Sequence, residues 1–387
     1  MSTPATPTRA SGRSPVLRGT LLGLLLPLGL VVLLACLPLL NLNLPGVLPG
    51  PTYTPGSLHL MALAMVMAAL ALSYHLLFGV AGLLSFGHAL YFGFGAYALG
   101  IIMRELELGL LPAAILVMVA GIAMANLLGA VSLRVTGIPF AMVTLAFAQA
   151  GSVLVRRNPR WTGGEEGLRL PTAFVPDWLV GVSNTRNVYW LALAALVLTF
   201  ILVTWIQRSR AGHVAQAVRE NELRVRVLGM RPFMVKLAIF VAASAIATGM
   251  GMVHLILNSG AVPHTLSADL TISLLLMVVL GGVGSRWGAI LGALVYVILS
   301  QRLAVLAQSP TIRELPDVLR IPLSEPLFIL GAIFVLVVMF LPGGLAGLGT
   351  RLRAALTRRP VGEDGAAEPA DLQVRTPGSV VQEEDRG

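Results

Sequence analysis

A chain of 387 residues that is 56% hydrophobic and 12% charged, against roughly 25% charged in an ordinary soluble domain, is excluded from the soluble globular class, and its mean hydropathy of +0.84 agrees. The formal net charge of +9 does not indicate nucleic-acid binding, because the arginines sit at the ends of apolar runs, where membrane topology places them. Apolar runs of about 20 residues cross a bilayer core as helix, and backbone satisfaction in lipid demands helices over open sheet. The expected fold is therefore all-α: a polytopic membrane protein.

Residues 1–18 are rich in Ser, Thr, Pro and Arg without apolar period and read as a disordered tail. Arg9, Arg13 and Arg18 precede a first span from Leu21 to Leu40, which is too long for a cleaved signal core and reads as a retained helix. It holds Cys36, the only cysteine, so no intrachain disulfide or cysteine metal cluster is available. Further spans are expected near Leu58 to Phe78, Ser85 to Met103, Leu110 to Leu133, Ile138 to Val155 and Val188 to Ile206. The polar stretch Gln207 to Lys236 follows, carrying seven basic residues. Spans near Leu237 to Leu257, Ala268 to Val283, Trp287 to Leu306 and Glu325 to Leu341 complete a count of ten.

With the first tail inside, six crossings return the chain inside at the arginine-rich stretch, and four more return it beside Arg351, Arg353, Arg358 and Arg359. Two features strain this topology. The turn GGVGSRWG around Gly284 is short enough that a re-entrant bend is the alternative to two spans, and the segment Arg156 to Asn187, external by parity, holds five arginines against three acidic residues. The stretch Pro360 to Gly387 has seven acidic residues and reads as a solvated tail.

The sequence contains no phosphate-binding loop of the G-x-x-x-x-G-K-[ST] type, no H-E-x-x-H pair and no G-x-S-x-G elbow. An ATPase of the phosphate-loop type, a zinc hydrolase of the zincin type and an α/β-hydrolase are thereby set aside. Within Gly79 to Gly100, small residues Gly79, Gly82, Ser85, Ala89, Gly93, Ala96 and Gly100 recur every three or four positions. A continuous helix would present them as one packing face. A break at the initial glycine cluster, beside polar Ser85 and His88, would instead line a cavity. Gly284, Gly288 and Gly292 form a second strip that reads as packing. Trp161 to Leu170, WTGGEEGLRL, makes a tight turn that either displays charge to a soluble partner or is simply solvated. Gly212 to Gly229 fits one short amphipathic helix in which Glu220 and Glu222 interrupt the basic residues, a mixture that topology alone does not require.

These stretches resemble a known family, the membrane subunits of ABC importers for branched-chain amino acids, of the M-type rather than the H-type. The resemblance rests on GLLSFGHALYFGFGAYA at Gly82 to Ala98, GIPFAMVTLAFAQ at Gly137 to Gln149, TGGEEGL at Thr162 to Leu168 and SRAGHVAQAVRENELRVRVLGM at Ser209 to Met230. LLMVVLGGVGSRWGAILGA at Leu275 to Ala293 and FLPGGLAGL at Phe340 to Leu348 complete it.

The resemblance implies an ABC importer permease fold and alternating access in a bacterial inner membrane, with both termini cytoplasmic. It implies a homologous H-type permease, two cytoplasmic ABC ATPases and a periplasmic binding protein as partners. No cofactor belongs to this chain itself, since ATP and Mg are bound by the ATPases. Gly212, Arg219, Glu220, Glu222 and Gly229 would form the coupling segment. Candidates for the pathway or helix break are Gly82, Ser85, Gly87, His88, Tyr91, Gly93, Tyr97, Thr144 and Gln149. Thr162, Gly163, Gly164, Glu165 and Gly167 would shape the external loop, and Gly281, Gly282, Gly284, Gly288 and Gly292 the helix packing. The chain departs from the family pattern at Arg224, Val225 and Arg226 and at Pro139. Urea, short amides or other amino acids are alternative cargoes. A secondary transporter is the alternative from a different class, disfavoured because Asp269 is the only acid plausibly near a span and sits at its end.

Overall fold

The structure is a computed structural model that describes residues 29, 31–43, 48–307, 325–340 and 343–347. The expected tails at 1–18 and 349–387 and residues 21–28 and 30 of the first expected span lie outside these residues. The long helices are α1 (Pro55–His75), α2 (His88–Glu105), α3 (Leu110–Ser132), α4 (Ile138–Arg156) and α5 (Thr185–Arg208). Two short helices follow, α6 (Arg210–Glu220) and α7 (Glu222–Val227), and then α8 (Pro232–Asn258), α9 (Ala268–Gly281), α10 (Arg286–Ala307) and α11 (Pro326–Phe340). Six helical segments among the described residues are long and apolar enough to cross a membrane: 55–80, 110–132, 138–156, 182–208, 232–258 and 286–307.

Two expected spans come out shorter than read. The helix of the Ser85 to Met103 span begins only at His88, because the backbone before it is not helical. The Ala268 to Val283 span is a helix of 14 residues, about 21 Å at 1.5 Å per residue. That falls short of the roughly 30 Å hydrocarbon core, so a full crossing is not available to α9 alone. Gly282 and Gly284 (φ +110° and +98°) then turn the chain directly into α10.

The bundle is built around α1, which is apolar on every side, as a fully surrounded helix must be. Ala62, Ala64, Ala68, Ala69 and Ala71 are all buried, and their small side chains admit α5, α8, α9 and α10 around the same helix. A second axis is α8, which packs closely on α2 and α3. On α3 the residues turned inward are Ala113, Val117, Gly121, Ala125 and Gly129, one every four positions. A Cβ at Gly121 would lie 2.8 Å from Thr248 Cγ2, and one at Gly129 2.7 Å from Phe240 Cδ1. That is the close backbone approach small residues permit where lipid offers no hydrophobic driving force between helices. The opposite face of α3, with Leu111, Ile115, Val119 and Leu127, is exposed.

Candidate functional site

The most polar feature of the interior is the interruption between α1 and α2. Past His75 the helix widens into a π-type turn over Leu76–Val80, and the Ala81 amide donates back to the Leu76 carbonyl at 3.3 Å. Gly82 then takes φ +68°, which only glycine adopts freely, and residues 82–87 run irregularly until His88 begins α2. The small residues of 79–100 therefore do not form one continuous strip, and the break is the arrangement observed.

Amides freed by a break inside a bundle need acceptors. The Phe86 amide donates to Thr144 Oγ1 of α4 at 3.1 Å, and the Ala89 amide to Thr271 Oγ1 of α9 at 3.0 Å. The Gly87 amide donates to Ser85 Oγ at 3.2 Å, while Tyr74 Oη donates to the Ser85 carbonyl at 3.1 Å. Ser73 Oγ donates to the Leu70 carbonyl at 2.7 Å and lies 2.8 Å from His88 Nε2. Since the hydroxyl proton is committed to Leu70, His88 donates through Nε2. Four hydroxyls, Ser73 and Tyr74 of α1, Thr144 of α4 and Thr271 of α9, thus converge on the break and the first residues of α2.

The other pathway candidates are spread around this break. Gly87 abuts the Thr144 backbone, where a Cβ would lie 2.7 Å from the carbonyl oxygen. Tyr91 stacks edge-on against Phe240 at 5.7 Å, and Gly93 lies against Leu266. Tyr97 is buried, with no hydrogen-bond partner for its hydroxyl among the described residues. Gln149 is not gathered in with them: it lies exposed on the outer face of α4. Beside the break opens a cavity of about 780 Å³. Its walls are mainly apolar, with Leu84, Phe86, Met142 and Leu145 among them, and Arg219, Glu222 and Lys236 form its polar side.

Those charged residues belong to the 207–236 segment, in which two short helices broken at the extended Asn221 replace the single amphipathic helix expected over 212–229. Ser209 caps α6 by accepting from the Gly212 amide at 3.2 Å, and Gly212 packs against the Ile206 and Gln207 carbonyls, leaving no room for a side chain. Asn221 is extended, ends α6 and caps α7 by accepting from the Arg224 amide at 2.9 Å. Glu222 pairs with Arg226 at 3.1 Å and with Lys236. The hydrogen bond from Lys236, followed by the charges of Lys236 and Arg226, holds its carboxyl below the usual range. Gly229 ends α7 with φ +79° and open space around it. Glu220 is exposed. Of the apolar positions, Val218 and Val225 are buried, whereas Leu223 and Val227 of α7 and Leu228 at its C-cap are 69%, 80% and 69% exposed. The departure at Val225 thus serves internal packing. Pro139 sits in the first turn of α4, where its missing N–H costs nothing.

At the other end of the bundle, the 157–184 segment is pinned down. Gly163, Gly164 and Gly167 all have positive φ. Leu168 and Arg169 form strand β1, which pairs antiparallel with strand β2 (Gly260–Ala261) after α8. Thr162 and Gly164 are buried and Glu165 is exposed, at 3.6 Å from Arg156, while Arg104 donates to the Trp161 carbonyl at 3.0 Å. The turn is a built clasp, and its charge excess is partly answered from within. In the α9–α10 hairpin, Gly281 and Gly288 face each other backbone to backbone, Gly292 lies against the Met277 carbonyl, and Gly282 against that of Gly343. Gly284 has open space about it and serves the turn. Among the described residues no group of three metal-ligating side chains occurs.

The sequence motifs flagged Thr144 and the glycines of the break. They did not flag Thr271, Ser73, Leu223 or Val227, and Leu228 was read only as part of a helix face, because a hydroxyl or a leucine among apolar residues carries no pattern until its neighbours are known.

Comparison with known proteins gives a match of residues 57–341 to the family described as branched-chain amino acid transport system, permease component. The chain is 28% identical over 265 residues to the high-affinity branched-chain amino acid transport system permease protein LivM of Salmonella typhimurium, covering 63% of this chain and 62% of that one. It is 25% identical over 305 residues to LivH of Escherichia coli, covering 74% and 93%. It is 26% identical over 316 residues to a probable LivM of Methanocaldococcus jannaschii, covering 71% and 88%. No solved structure matches.

Proposed function

The chain belongs to the permease-component family of branched-chain amino acid transport systems, and from that premise we propose that it is an M-type membrane subunit of an ATP-driven importer. Its cargo is leucine, isoleucine, valine or a similar hydrophobic amino acid, moved by alternating access. It pairs with a homologous H-type permease, takes substrate from a periplasmic binding protein and borrows its ATPase from two cytoplasmic subunits that bind ATP and Mg. Both termini and the 207–236 segment lie in the cytoplasm.

The observation that carries this reading is the pair of features on either side of α6. On one side, Leu223, Val227 and Leu228 form an apolar patch exposed among charges, and such patches mark protein contacts. On the other lies the broken α1–α2 connection with its apolar cavity. A docking surface and a deformable interior segment bridged by one short helix are what transfer of an ATPase stroke requires. The cavity's aliphatic and aromatic walls suit branched side chains. The test is gentle solubilisation of the full chain from its native membrane, followed by uptake of labelled leucine, isoleucine and valine in reconstituted vesicles. Recovery of an ABC ATPase and a second permease together with ATP-dependent uptake is expected. A chain that purifies without an ATPase overturns the class, and an ATPase-bearing complex that ignores all three amino acids overturns the cargo.

A further inference from the structure

The coupling role of the 207–236 segment leaves open how motion at its surface enters the bundle. Arg219, in the last turn of α6, is exposed as a residue, yet its head reaches the break. Its guanidinium donates through Nη1 to the carbonyl of Gly79, which lies in the final, widened turn of the helix that begins as α1. Its stem lies along the break itself, since a Cβ at Gly82 would sit 2.7 Å from Arg219 Cγ and 3.4 Å from Cδ.

Three physical circumstances make this contact specific. The carbonyls at a helix C-terminus lack intrahelical partners and carry the negative end of the helix dipole, so a cation there is favoured. The widened turn displaces the regular pairing, with the Leu83 amide donating to Leu77 at 3.0 Å, so the Gly79 carbonyl is left to a side chain. The absence of a Cβ at Gly82 is what lets the arginine stem pass. Arg219 also borders the cavity of about 780 Å³, the space into which residues 82–86 could move if the tie shifted. The rest of α6 rests on the bundle through Ala215 and Val218, which are buried apolar contacts without directionality.

We propose that Arg219 is a positioning residue that ties the coupling helix to the broken α1–α2 connection, so that displacement of α6 is delivered to the 79–87 backbone rather than to the bundle as a whole. This rests on the importer reading above, and it assigns Arg219 inward instead of to the ATPase contact.

The experiment compares wild type, Arg219→Gln, Arg219→Lys and Gly82→Ala in the complete complex reconstituted with its binding protein. It measures ATPase recovery, ATP hydrolysis and amino-acid uptake per ATP. Arg219→Gln should keep the ATPase and hydrolyse ATP within about twofold of wild type, while uptake per ATP falls about tenfold, a typical size for coupling between sites. Arg219→Lys, which can still donate to the carbonyl, should recover most of the loss. Gly82→Ala displaces the arginine stem without removing its charge but also strains a backbone held at φ +68°. It should uncouple with the complex intact, and its uncoupling is credited to the tie only where Arg219→Gln added to it lowers uptake per ATP no further. Loss of the ATPase from Arg219→Gln would make Arg219 a docking residue and overturn the proposal. Unchanged uptake per ATP in Arg219→Gln, or in Gly82→Ala, overturns it as well. A wild-type complex without an ATPase overturns the importer reading and the tie together.

Discussion

The chain interrupts its helices at two glycine clusters, and the two are built in opposite ways. Between α1 and α2, residues 82–87 are irregular, and the stretch and its two flanks are held by side chains arriving from elsewhere: Thr144 at Phe86, Tyr74 at Ser85, Thr271 at Ala89 and Arg219 at Gly79. Between α9 and α10, Gly281, Gly282, Gly288 and Gly344 are pressed backbone against backbone, with Gly343 closing over them. Side-chain hydrogen bonds can be exchanged one at a time, so the first interruption is the less constrained of the two outside Gly87, which abuts the Thr144 carbonyl. Close-packed backbone has no such freedom, because interiors resist continuous deformation. The same residue type thus serves a joint in one place and a rivet in the other.

The rivet should be the more fragile to mutation. Gly292 has no space for a side chain beside the Met277 carbonyl, so Gly292→Leu must force α9 and α10 apart, at a cost of about 3 kcal/mol or more. The expected result is loss of monodisperse protein in detergent and of the assembled complex. A variant with wild-type thermal stability would show that the hairpin is not close-packed. At the joint, Thr144→Val and Thr271→Val keep volume but leave the Phe86 or Ala89 amide without its acceptor, costing about 1–3 kcal/mol each. Each variant should assemble with a lowered melting temperature and altered uptake. The pair should be non-additive, because both hydroxyls hold one segment; strict additivity would mean that the break is not a single unit.

How much of this could be read from the chain follows from the same contrast. The all-helical membrane class, the long spans and the polar arginine-rich segment between them follow from composition and periodicity, which are local. The glycines of both interruptions were visible as clusters, but their opposite uses were not. A glycine that provides φ +68° at position 82 and one that admits a backbone at position 292 look alike in sequence. The packing stripe on α3 was missed because Ala113, Val117 and Ala125 are unremarkable in an apolar run, and only the burial of every fourth residue exposes it. The 212–229 region read as one short helix because apolar positions recur on both sides of Asn221, even though the face they form is broken. What ends α6 is the extended backbone and side-chain cap at that asparagine, which periodicity does not register. The short α9 was concealed by continuous hydrophobicity through Gly281, which sets a length for the run but not for the helix.

The smallest expected effect separates the two interruptions by charge. Glu222 stands on the wall of the joint's cavity, bonded to Lys236 and Arg226, whereas the glycine contacts that close the α9–α10 turn are backbone to backbone. Its carboxyl is held below its ordinary value of 4.5, first by the Lys236 hydrogen bond and then by the neighbouring charges, with partial burial opposing. A depressed carboxyl contributes stability that is fully present above its unfolded pKa and is lost as pH falls through the folded one. The contribution should therefore be constant across neutral pH and disappear only below the ordinary carboxylate range. Because the pair is partly exposed, it amounts to about 1 kcal/mol or less. Hydrogen exchange, corrected for intrinsic rates, should show residues 222–230 loosening on acidification while 281–292 stays protected. Glu222→Gln should be loosened already at neutral pH and respond little further to acid. Equal acid response in the two interruptions, or an unchanged acid response in Glu222→Gln, would show that the ion pair does not hold α7 against the joint.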